Sequence, residues 1–191
     1  MKTNRLEAFS DGVIAIIVTI MVLELKAPHD TSPAALFERW PVFLSYVLSF
    51  IVVAIMWVNH HHMIHGARRA DGALLWSNNH LLFWMSLIPF ATAYMGETHA
   101  APLAVAVYGG VLALASVAFT IMRGVIAGQH RDDAESNTHH RRVQVKNLLS
   151  ACLYAGSVPL AFVEVWASLA IFCLIPALYF LPERTFEKNA G

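Results

Sequence analysis

The chain has 191 residues, of which 57% are hydrophobic and only 14% charged, and its 13 basic and 13 acidic side chains cancel. Those proportions exclude a soluble globular domain and a basic nucleic-acid binder, and leave an all-α integral membrane protein with no separate soluble domain. Two cysteines, Cys152 and Cys173, exclude a disulfide scaffold; both fall in apolar runs and read as free thiols.

A membrane-spanning helix needs about 20 mostly apolar residues. The chain offers six such segments, at about 8–26, 39–63, 72–97, 101–124, 144–163 and 165–182. The first carries Ser10 and Asp11 inside its apolar run. A charge in such a run costs at least roughly 2.5 kcal/mol on insertion scales, so it faces a protein interior or a water-filled path and marks function. Lys2 and Arg5 ahead of an apolar run also describe a signal peptide. Asp11 within the run, and Glu24-Leu25-Lys26 in place of small cleavage-site residues, favour retention in the mature protein.

The second segment ends in Trp57-Val58-Asn59-His60-His61-His62-Met63-Ile64-His65, and the third opens with Trp76-Ser77-Asn78-Asn79-His80. The short turn from Arg68 to Gly72 puts both clusters at the depth of Asp11. Trp57, Asn59, His60, His61, Trp76, Asn79 and His80 are therefore candidates to hydrogen-bond with the first helix. His61 and His65, one helical turn apart, could share a metal with His80. No carboxylate or cysteine completes that set at a recognisable spacing, so no metal site is expected.

Tyr108-Gly109-Gly110 in the fourth segment reads as a site of close helix packing rather than a carbonyl selectivity filter. No nucleophile sits beside a base and no glycine loop cradles a phosphate, which excludes the common enzyme classes. Residues 125–143 read as a hydrophilic loop. The fifth segment is the weakest, with a clean apolar stretch only from Leu148 to Val163, and a re-entrant hairpin with the sixth is the alternative there.

Six spans put eleven Lys and Arg residues on one side, from Lys2 through Arg184 and Lys188, and only Lys26 and Arg39 on the other. The positive-inside rule then places both termini and the 125–143 loop in the cytoplasm, in the inner (plasma) membrane. At about 100° per residue, Phe9, Gly12, Ile16, Ile20 and Leu23, with Thr19 at the edge, share one face of the first helix and Asp11 falls on another. One arrangement turns Asp11 toward segments two and three and leaves the stripe free. Periodicity alone allows a lipid-facing stripe equally.

Arg5-x-x-x-Phe9-Ser10-Asp11-Gly12, followed by an Ile/Thr/Leu-rich helix, resembles the signature of bacterial members of the transmembrane protein 175 family, relatives of the endolysosomal potassium channel. The likeness extends to Trp57–His62, to Trp76–Asn79 with Pro89-Phe90, and to the six-span layout. The resemblance implies a homotetrameric channel for monovalent cations with a central pore lined by the first helix. It implies a hydrophobic constriction at Ile16, then Ile20 and Leu23, with Thr19 as a selectivity candidate. Arg5, Phe9, Ser10, Asp11 and Gly12 are the matched signature residues. No cofactor is implied beyond permeant potassium ions, which would pass with a modest preference over sodium. A proton-coupled transporter or proton-permeable channel using Asp11 and the histidines is the alternative, and a non-conducting scaffold a third.

Overall fold

A computed structural model describes residues 3–130 and 134–180, with the backbone alone for 134–143 and for 180. The elements described are α1 (Thr3–Leu23), α2 (Pro33–Phe37), α3 (Trp40–His65), α4 (Gly72–Ser86), α5 (Ile88–Glu97), α6 (Pro102–Gly128), α7 (Ala134–Leu160) and α8 (Val165–Phe180). Helices are the expected outcome, because only helices and closed barrels satisfy their own backbone groups in lipid. Among the described residues, α1, α3 and α6 are long and apolar enough to cross a membrane singly.

The third expected segment, 72–97, is two helices that break at Leu87. Pro89 sits in the first turn of α5; it has no N–H to give and its ring collides with the carbonyl four residues back, so one helix cannot run through. The expected loop at 125–143 is mostly helical: α6 continues to Gly128 and α7 starts at Ala134. Its charge was read as irregular structure. Yet 134–155 holds neither proline nor glycine, and its Glu, Gln, Lys, Arg and Leu residues are good helix formers that need only water on their polar faces. The expected extension of segment six to 182, together with Arg131, Arg184 and Lys188, lies outside the described residues.

Helix α6 is the hub of the fold. Buried residues make up 67% of its most apolar window, against 28% for α1 and for α3. Its Ala104, Ala106, Gly109, Ala113, Ala115 and Ala118 keep that helix thin enough to be surrounded. Of the two glycines singled out in the sequence, Gly109 carries the packing: a Cβ there would collide with Ser157 Oγ and lie 3.2 Å from the Phe172 ring, whereas one on Gly110 meets nothing within 4 Å. Gly109→Val is expected to lower stability by about 1–3 kcal/mol through overpacking, read as a lower unfolding temperature in detergent, while Gly110→Ala leaves it unchanged. Equal melting of the two variants would mean that α7 and α8 yield at this contact.

A buried hydroxyl cluster joins α3, α5 and α6. Ser49 Oγ lies 2.9 Å from Tyr108 OH and 2.7 Å from Thr92 Oγ1. The two ends of the bundle are fixed by polar clamps. At one, Gln129 Oε1 accepts from the backbone N–H groups of Arg68 (3.0 Å) and Arg69 (3.3 Å), tying the end of α6 to the α3–α4 turn. At the other, Lys26 and Glu97 stand 3.8 Å apart.

Candidate functional site

Helix α1 has two dissimilar faces. Leu6, Ser10, Ile14, Ile17 and Met21, spaced three or four apart, are buried against the rest of the subunit. On the other side Phe9 is 56% exposed, Ile16 58% and Leu23 75%. Gly12 and Thr19 lie on that outer face as well, and a Cβ on Gly12 would touch nothing within 4 Å. Thr19 Oγ1 donates to the Ile16 carbonyl at 2.8 Å, so its hydroxyl is satisfied by its own helix. The outer stripe is thus the one that the helical wheel separated from Asp11, and it is bare in the isolated subunit.

Three polar contacts set the rotation of α1. Asn78 Oδ1, buried on α4, lies 3.1 Å from Ser10 Oγ on α1 and 2.8 Å from His60 Nε2 on α3, so one amide joins three helices. Asp11 Oδ1 accepts from Trp57 Nε1 at 2.9 Å. One turn earlier, Glu7 Oε1 stands 3.1 Å from His61 Nδ1 and 3.4 Å from His65 Nδ1. Glu7 and Asp11, four residues apart on α1, therefore meet His65, His61 and Trp57, four apart on α3, as two parallel rows.

The remaining candidates lie elsewhere. His80 accepts from Trp84 Nε1 at 2.9 Å within α4, and Trp76 and Asn79 are exposed. Asn59 lines a small cavity shared with Asn147, Ser150 and Tyr179, away from α1. Arg5 is exposed, and its side chain bonds to no other described residue. Of the three consecutive histidines, His60 is the buried one, His61 is half-buried against Glu7 and His62 is exposed. Sequence reasoning passed over Asn78 and Glu7. Asn78 was recoverable from spacing, since it stands with Leu74, Leu81, Leu82 and Met85 on the buried face of α4. Glu7 was recoverable as the residue one turn before Asp11.

The histidine grouping weighed and set aside as a metal set also changes membership. Among the described residues, Glu7, His61 and His65 bring one ligand atom each to within 4.8 Å of one another. The carboxylate that the spacing of segments two and three lacked comes from α1, and His80 takes no part.

The turn beneath this site is well tied. Asp71 caps α4 by accepting from Leu74 N–H at 3.0 Å and pairs with Arg69 at 3.2 Å. The Leu74 amide, and then the Arg69 guanidinium, hold its carboxyl below the usual carboxylate range.

Comparison with known proteins bears on this geometry. Residues 5–89, which contain most of α1, all of α3 and α4 and the polar contacts among them, match the profile of the family described as the endosomal/lysosomal potassium channel TMEM175. A potassium channel from Chryseobacterium sp. (strain P1-3) is 40% identical over 191 residues, covering 99% of this chain and 98% of that one. A potassium channel from Streptomyces collinus is 34% identical, with the same two coverages. The crystal structure of a lysosomal potassium-selective channel TMEM175 homologue from Chamaesiphon minutus superposes with a TM-score of 0.82 at 29% identity, over 94% of this chain and 96% of that one. The human endosomal/lysosomal proton channel TMEM175 is 31% identical over 103 residues, which cover 48% of this chain and 20% of the human one. The family and these relatives are ion channels, not enzymes. Identity of 40% along nearly the whole length of one relative, with the family profile matching residues 5–89 and the same fold, makes this chain a member of the TMEM175 channel family.

Proposed function

We propose that the chain is a potassium-permeable channel that assembles as a homotetramer around a central pore lined by α1. The observation that carries this reading is the outer face of α1: Phe9, Gly12, Ile16, Ile20 and Leu23 are uncovered while the opposite face is held by Ser10, Asp11 and Glu7. Polar anchoring on one side and an apolar stripe on the other present the same rotation of α1 in every subunit. Rings of Ile16 and Leu23 would form a narrow apolar neck, with Thr19 between them. Such a neck expels water, and an ion cannot leave its hydration shell for hydrocarbon. The closed state is dewetted. Opening splays or turns α1 until the neck wets, so selectivity rests on neck width and a few hydroxyl contacts, with a modest preference for potassium over sodium and no cofactor.

The six-span layout belongs to the same proposal. Helices α1, α3, α6, α7 and α8 each count as one span and α4 with α5 as another. The basic side, with the α3–α4 turn and the α6–α7 connection, faces the cytoplasm together with both termini, at the inner (plasma) membrane.

Two measurements test the reading together. Native mass in detergent is expected to return four chains, and liposomes loaded with potassium are expected to release it when the protein is present. A monomer, or a tetramer that carries no flux, would refute it. A proton-permeable channel is the second reading, supported by the row of Glu7, His61 and His65 beside Asp11; acidification of an internal pH dye with no monovalent metal cation on either side would select it.

A further inference from the structure

We propose that Glu7, His61 and His65 form a binding site for a divalent transition cation of the zinc class, which staples the first turns of α1 to the end of α3. Two imidazoles and one carboxylate are a donor set that zinc-class ions favour, with positions left for water. Two of the three ligand spacings match a tetrahedral ion, and all three ligand atoms lie within 4.8 Å of one another. A tetrahedral ion with bonds of about 2.0–2.1 Å holds its ligand atoms roughly 3.3 Å apart. Glu7 Oε1 already stands 3.1 Å from His61 Nδ1 and 3.4 Å from His65 Nδ1. The two imidazole rings lie side by side, with centroids 4.2 Å apart.

The site can be reached from water, because the side chains of His61 and His65 are 42% and 58% exposed and that of Glu7 is 21% exposed. It is also supported from behind. Trp57, one turn from His61, donates to Asp11, one turn from Glu7, so the two backbones are already held at this distance. Both rings must rearrange. His61 Nδ1 faces the Glu7 carboxylate at 3.1 Å and must pass its proton to Nε2 before it can bind metal. His65 Nδ1 lies 3.1 Å from the His61 carbonyl, so His65 must do the same. Each tautomer change moves one proton between ring nitrogens and leaves the net charge of the imidazole unaltered. Both imidazoles bind the ion in their neutral form.

The staple spans two helices rather than one, and it acts on the helix whose rotation the other contacts set. A bound ion therefore reduces opening at the N-terminal turns of α1. This consequence for motion is independent of whether the chain conducts, so it is read without a flux assay.

The test uses the full chain without a histidine tag, stripped with chelator and titrated with Co(II) and then with Zn(II). Wild type is expected to show the ligand-field absorption of a nitrogen- and oxygen-bound Co(II), displaced by Zn(II), and zinc is expected to slow amide exchange in residues 3–11 and 57–65. His61→Ala with His65→Ala is expected to weaken binding more than about 100-fold, beyond what loss of an outer supporting group costs. Glu7→Gln, a conservative change on a side chain that is 21% exposed, keeps the fold and weakens binding at least about tenfold. His139→Ala with His140→Ala leaves it unchanged. No absorption change at millimolar Co(II), or the same change in the His61/His65 double variant, overturns the site. Slowed exchange elsewhere with none in 3–11 overturns the staple.

Discussion

Ile16→Asn is expected to raise potassium leak from loaded liposomes at least about tenfold over the parent chain, the factor returned when a barrier falls by about 1.4 kcal/mol. The argument is one of wetting. Ile16 lies on the uncovered face of α1, 58% exposed, so its side chain is not part of the subunit's own packing. An amide in its place would offer water both donors and an acceptor inside the proposed neck, which would otherwise exclude it. Ile14→Asn gives the contrast. Ile14 is buried in the subunit core, so an unpaired amide there costs about 1–3 kcal/mol and lowers folded yield without adding leak. Flux unchanged in the Ile16 variant would remove that residue from the ion path.

Asn78→Leu has the second largest expected effect, and it acts on the rotation of α1 instead of its outer stripe. The leucine nearly keeps the volume but removes the one acceptor that Ser10 and His60 share. His60 is fully buried, and orphaning a buried donor costs about 1–3 kcal/mol. Ser10 suffers less, because its hydroxyl lies 2.9 Å from the Leu6 carbonyl and can be satisfied there. The variant is expected to melt earlier in detergent and, on the proposed assembly, to yield fewer tetramers, with irregular leak from those that form. Adding Ser10→Ala to Asn78→Leu should then cost little more than Asn78→Leu alone, since the shared partner has already gone. Full additivity of the two changes would show that Ser10 and Asn78 do not act through one contact.

The apolar stripe of α1 was legible in the sequence and its anchors were only partly so. Periodicity separates Phe9, Gly12, Ile16 and Leu23 from Asp11 because a helix repeats every 3.6 residues whatever surrounds it. The partners of Asp11 and Ser10 come from segments 46 and 68 residues away, and no spacing rule reaches that far. Trp57, His60 and His61 were grouped near α1 by depth alone, and their partners are Asp11, Asn78 and Glu7. Trp76, Asn79 and His80 were grouped with them by the same argument, yet they point elsewhere, because depth places a residue along the helix axis and says nothing about its direction around it. Asn78 shows the other side of this. It belongs to the buried row of α4, and reading the row instead of the cluster would have selected it. Glu7 stands one residue before the first expected segment, 8–26, and so was not counted among that segment's polar residues.

The break at Leu87 and the helical start of α7 carry a related lesson. Proline is a local, covalent constraint, and Pro89 alone was enough to expect the break. Charge is not such a constraint; a charged segment can be a helix with wet faces as readily as a loop, and at 134–160 it is a helix.

By itself, the sequence determined the membrane setting, the all-helical class, the family signature and the division of α1 into an anchored and an apolar face. These follow from hydropathy and from the helical repeat, which are properties of single segments. Only the tertiary structure decided that α6 is the hub, that Gly109 and not Gly110 makes the close contact, and that His60 meets Asn78 while His61 and His65 meet Glu7. The physical reason is that nearly every surface in such a chain is apolar, so hydrophobicity cannot choose which helix packs on which. The choice falls to small residues that let backbones approach and to the few polar groups that must find partners, and both depend on which residues the completed bundle brings together.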